Sequence, residues 1–88
     1  MEEKERAVYL IVLDAVYKEA IKEEDDDLLA AISAEMDKTA QMLPQFVKND
    51  DDPVQVDWLA LESAFGLSGW RPTLADVLPV IRRLRSTP

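Results

Sequence analysis

Residues 7–21 read AVYLIVLDAVYKEAI, and whether this stretch is a helix or a strand decides the fold. Valine, tyrosine and isoleucine favour strands, so Ala7–Leu13 taken alone is open to that reading. The wider spacing favours a helix. Apolar residues recur at Tyr9, Leu10, Leu13, Val16, Tyr17, Ala20 and Ile21, three or four apart, with no turn residue between them. A helix over 2–23 is predicted, with Glu2, Glu3 and Glu5 at the positive end of its dipole.

This helix carries a second apolar flank. Val8, Ile11, Val12 and Ala15 lie away from the main stripe, and Asp14, Lys18, Glu19, Lys22 and Glu23 alone form a polar sector. A surface helix shows one apolar stripe; a helix apolar on two sides is covered twice. Either the segment sits in the middle of its own domain, or its rear flank meets another chain. The second option makes Val8, Ile11, Val12 and Ala15 candidate partner-binding residues.

Outward from this helix comes an acid run, Glu23 to Asp27. Acids are unfavourable at a helix C-terminus and favourable at an N-terminus, and aspartate is a leading N-cap. Asp25, Asp26 and Asp27 are therefore assigned to the start of the next helix, expected over Leu28–Leu43 with Leu28, Leu29, Ile32, Met36, Ala40 and Leu43 inward. So short a connection implies an antiparallel hairpin. Pro44 either ends that helix or opens a short turn over QFVK, and Phe46 and Val47 are expected to tuck under it. A second acid run, Asp50, Asp51 and Asp52, precedes Pro53. Asp52, Pro53 and Gln55 read as N-cap, N1 and N3 of a third helix over 53–65, closed by Gly66 with Leu67 as its apolar contact. A fourth helix follows Thr73, with Asp76 three residues on. Its expected inward stripe is Leu74, Val77, Leu78, Ile81 and Leu84, with Pro79 on the solvent side. The fold class is all-α: one compact four-helix domain over 1–88, an N-terminal antiparallel hairpin followed by two shorter helices.

The chain has 88 residues, and one this short buries about 60–65% of its unfolded surface, so one well-packed core must suffice. It has no cysteine and no histidine. Thiolate chemistry, disulfides, imidazole bases and the usual zinc sites are thereby excluded, and a non-catalytic protein without cofactors is expected. The serines lack an activating base, and two glycines cannot build a phosphate-cradling loop. No calcium loop fits either acid run: the third ligand position falls on Leu29 or on Val54, and the turn glycine is missing.

The formal charge is −8. Residues 1–52 hold fifteen acids and six bases; residues 53–88 hold three acids and four arginines. Direct contact with nucleic acid or anionic lipid is disfavoured, whereas a basic protein or head-to-tail contact with another copy suits the asymmetry. The apolar run AVYLIVL is too short to span a bilayer, and Met1 is followed by EEKER, unlike a secretory leader, so a cytoplasmic protein is expected.

Residues 50–67, DDDPVQVDWLALESAFGL, resemble the second helix of acyl carrier proteins, which begins at a modified serine and ends in an Ala-Leu-Glu-x-x-Phe pattern. With Phe65 on the family's phenylalanine, Asp51 stands where that serine must be, so no carrier function is assigned. The expected role is protein interaction, through self-association by the rear of the first helix. The alternative is an acidic inhibitor that imitates nucleic acid, with Asp25–Asp27 and Asp50–Asp52 as its surface. Trp70, between Gly69 and Arg71, either covers the core or serves as an exposed anchor.

Overall fold

The computed structural model describes residues 2–49 and 54–86. Helix α1 spans Glu3–Lys22, so the long period prevails over the strand preference of Ala7–Leu13. It ends in a Schellman turn. The Asp25 N–H donates to the Ala20 carbonyl (3.0 Å) and the Glu24 N–H to the Ile21 carbonyl (3.1 Å). This turn puts Glu24 at φ +55°, a left-handed conformation that glycine adopts more readily. Asp25 then starts α2, Asp26–Ala40, its Oδ1 accepting the Leu28 N–H at 3.1 Å. The acid run thus caps the second helix as its chemistry requires, and Asp26 and Asp27 form the first turn.

Tyr9, early in α1, donates its hydroxyl proton to Glu35, late in α2 (3.2 Å). With the joined ends only three residues apart, the two helices are antiparallel. α2 stops three residues before the expected Leu43, and Pro44–Phe46 forms one 3₁₀ turn.

The all-α expectation needs a correction at the next segment. Val47–Asn49 (β1) pairs antiparallel with Gln55–Val56 (β2), Val47 opposite Val56 and Asn49 opposite Gln55. Two steps along β1 answer one along β2, so Lys48 is the extra residue of a bulge. Val54 and Val56 are buried while Gln55 is exposed, the alternation of a half-buried strand. The Val54 N–H bonds to Asp37 of α2 (3.3 Å).

Consequently α3 begins later than expected, at Trp58–Ala64 instead of 53–65. Asp57 is its N-cap, accepting the Ala60 N–H at 3.2 Å. Gln55 lies in a strand, so the expected Asp-x-x-Gln box does not open this helix; Asp52 and Pro53 lie outside the described residues. The C-terminal end is as expected: Gly66 has φ +67°, and the buried Leu67 donates its N–H to Glu62 (2.8 Å).

Helix α4 spans Leu74–Ser86 with Pro79 inside it and exposed. The Asp76 carboxylate accepts both the Thr73 N–H (2.9 Å) and its hydroxyl (3.1 Å). Its inward face is Val77, Val80, Ile81 and Leu84, while Leu74 and Leu78 are exposed. The expected stripe is corrected by one helical step. Each residue turns the helix by about 100°, so centring the face on Val77 and Val80 carries Leu78 out of it.

α1 packs on both α2 and α4. Ala7, Leu10, Leu13, Val16 and Ala20 are fully buried along it, and the hydrophobic cluster of the described residues gathers around them. The radius of gyration, 12.4 Å, matches the ~12 Å of a folded chain this long. Side-chain contacts add to the apolar packing of α4 on the hairpin. Arg85 Nη2 donates to Asp25 Oδ2 (2.7 Å), and the Arg83 guanidinium lies 5.1 Å from the centre of the Tyr9 ring.

Candidate interaction groove

The rear flank of α1 is covered mainly by its own chain. Ile11 and Val12 are only 7% and 6% exposed, and Val8 and Ala15 are half-buried. Of the two arrangements the sequence leaves open, the central one is therefore observed in the isolated chain. Shielding Ile11 and Val12 requires no second copy, so the face proposed for self-association is not laid bare.

The cover is incomplete along one line. Between α1 and the α3 side of the molecule runs a groove of about 410 Å³, lined by Ile11, Asp14, Ala15, Lys18, Trp58, Glu62, Arg71 and Pro72. Helical spacing creates each wall. Ile11, Asp14, Ala15 and Lys18 are i, i+3, i+4 and i+7 on α1, one face over about two turns. Trp58 and Glu62 are i, i+4 on α3. The third side is the loop after Trp70, whose own N–H bonds back to the Leu67 carbonyl (2.9 Å). The Schellman turn at Gly66 reverses the chain and leads it to Arg71 and Pro72 beside α1.

The floor is apolar, made by Ile11, Ala15, Trp58 and Pro72, and the charged groups are graded by depth. The carboxylates lie inside: the side chains of Glu62 and Asp14 are 15% and 24% exposed. The cations lie outside: Arg71 is 71% exposed and Lys18 is 74% exposed. Arg71 Nη1 donates to Glu62 Oε1 at 3.1 Å, and the same nitrogen donates to the Trp70 carbonyl at 2.7 Å. Lys18 Nζ stands 3.2 Å from Asp14 Oδ2. Arg71 thus engages its carboxylate through one nitrogen and one oxygen, not as the two-bond fork that guanidinium and carboxylate prefer.

The remaining residues singled out by the sequence lie elsewhere. Trp70 is half-buried and packs against the core beside the groove. Asp25 is engaged by the α2 cap and Arg85. Asp26 and Asp27 are exposed on the first turn of α2. A second hollow of about 470 Å³ lies here, lined by Asp25, Asp27, Leu28, Ala31, Leu84 and Arg85, and the Asp25–Arg85 pair spans it. Asp50, Asp51 and Asp52 lie outside the described residues. Among the described residues no three acidic side chains gather closely enough to hold a metal ion, and no helix is long and apolar enough to cross a membrane.

Trp58 packs against the core and, with Arg71 from the loop after α3, also lines the groove, a meeting the sequence does not announce. The available signal was the pair Trp58 and Glu62 on one helical face, aromatic beside acid. No family model, curated protein or solved structure matches this chain.

Proposed function

We propose that this chain is a non-catalytic protein-interaction module and that the α1–α3 groove is its contact site. One observation carries the reading: a concavity with an apolar, tryptophan-bearing floor, two partly buried carboxylates and an exposed arginine and lysine over them. Its volume falls within the roughly 300–1,000 Å³ of ligand-binding clefts, and tryptophan and arginine are typical anchors of protein contacts. The chemistry of the rim supports binding more than catalysis. Each groove carboxylate faces a cation, whereas acid–base work needs two acid groups in environments that separate their roles. The chain supplies neither histidine nor cysteine in their place.

The test is affinity capture from an extract of the native host by the parent protein and by Ala15→Arg, which fills the groove from its α1 wall. The reading expects a partner held by the parent and lost by the variant, with the two melting temperatures within a few degrees. A partner captured equally by both places the contact elsewhere and overturns the assignment. Capture of the same chain would identify the partner as a second copy meeting this groove.

A further inference from the structure

The depth order of the charges leads to a partner chemistry. We propose that the groove receives an arginine-bearing segment of a partner protein, its guanidinium displacing Arg71 from Glu62 and its aliphatic stem lying on Ile11, Ala15 and Trp58; this rests on the groove being the contact site.

Three features of the molecule carry it. First, the fixed groups of the groove are the complement of a guanidinium on a hydrocarbon stem. They are two partly buried carboxylates, an indole and an aliphatic floor. Second, the cations now on those carboxylates are replaceable. Both are largely exposed, and exposed pairs of this kind are weak. Arg71 holds Glu62 with a single bond, so an incoming guanidinium gains by making two. Arg71 thereby acts as a built-in stand-in for the partner's arginine. Third, the net charge of the molecule has the required sign. The groove's own carboxylates and cations balance, but the chain as a whole carries −8, so a basic segment is drawn in from a distance and an acidic one repelled. A lysine head is met less well, because it offers no planar fork.

The experiment follows the amide and indole N–H resonances of the intact chain by NMR. Three blocked probes are titrated: acetyl-arginine amide, its uncharged near-isostere acetyl-citrulline amide, and acetyl-leucine amide. The arginine probe should shift Ile11, Ala15 and the Trp58 indole, and bind at least about tenfold tighter than citrulline, because its hydrogen bonds to Glu62 are charge-assisted. Glu62→Gln should weaken the arginine probe by about tenfold or more. Arg71→Ala removes the internal competitor and should tighten it about two- to fivefold. Arg82→Ala makes the same charge change at an exposed position of α4 outside the groove lining, and should leave the affinity unchanged.

Equal binding of arginine and citrulline overturns the proposal, as does an Arg71→Ala variant that binds no tighter than Arg82→Ala. Shifts centred on Asp26 and Asp27 instead of the groove overturn it as well. If only the leucine probe moves the groove resonances, the contact site stands and its cation preference falls. If no probe moves them, the arginine proposal is overturned, while the capture comparison with Ala15→Arg decides the contact site separately.

Discussion

Asp25 joins three parts of the molecule, and its replacement separates their contributions. Its backbone N–H closes the end of α1, Oδ1 caps α2, and Oδ2 receives Arg85 from α4. Asp25→Ala removes both side-chain functions. Losing an N-cap of this kind costs about 1 kcal/mol, within a range of about 0.5–2. The Arg85 pair is short, 2.7 Å, but its side chains are 27% and 60% exposed, which holds its worth to about 0.2–1 kcal/mol. Together the loss is about 1–2 kcal/mol, a fall in melting temperature of roughly 5–15 °C for a domain of this size. Asp25→Asn keeps a side-chain oxygen for the Leu28 N–H and loses only the ion pair, so it should melt within about 2–6 °C of the parent. In a double-mutant cycle, Asp25→Asn and Arg85→Ala should be coupled by no more than about 1 kcal/mol, and added salt should erase that coupling while leaving the deficit of the alanine variant. Thermal melts by circular dichroism at low and high salt measure all of this. If asparagine proves as damaging as alanine, Oδ1 is not the cap. If the cycle shows no coupling at low salt, α4 is not fastened to the hairpin at this point.

Two further replacements probe the left-handed turns, with opposite signs. Glu24→Gly should stabilise the chain by about 0.5–1 kcal/mol, because glycine relieves a side chain held at φ +55° and gives back part of that gain in unfolded-chain entropy; chemical denaturation measures it, and a destabilised variant would contradict the turn. Gly66→Ala should cost about 1 kcal/mol through the backbone alone, since φ is +67° and a Cβ there meets no atom within 4 Å; a neutral result would mean that the α3 end differs from the Schellman geometry described.

The hairpin was legible because its signals are long and redundant. Two turns or more of apolar spacing outweighed the β-branched run in α1, and the dipole argument placed Asp25 at the start of α2. The small sheet was not legible. Val54, Gln55 and Val56 alternate as a strand does, but two or three residues cannot outweigh a nearby Asp-Pro that reads as a helix start. The connection to their partner, Val47–Asn49, is of hairpin length, but it carries an aspartate triplet and a proline and no glycine to mark a hairpin. In α4, apolar residues at 74, 77, 78, 80, 81 and 84 satisfy more than one facing direction, and packing of Val80 on the core selected among them.

The groove shows the same division between local and non-local information. Ile11 and Ala15 were singled out because an apolar rear flank needs a cover. Trp58 and Pro72 supply part of that cover, but they come from α3 and the loop before α4, so their meeting with α1 is a property of the chain reversal at Gly66. The depth order of Glu62 and Arg71 is likewise invisible in sequence, because both are ordinary charged residues until one is folded under the other.

The central physical claim is that α1 is enclosed on both flanks by its own chain, and Val12→Glu tests it most directly. The side chain is 6% exposed, so the new carboxylate is taken out of water into the apolar core, at a cost of about 3 kcal/mol or more. The melting temperature of this variant should fall by about 12 °C or more, and that fall should be the same across a hundredfold range of protein concentration. A variant that melts like the parent would show that Val12 is not enclosed, and a parent whose melting temperature climbs with concentration while the variant's does not would show that a second copy covers it.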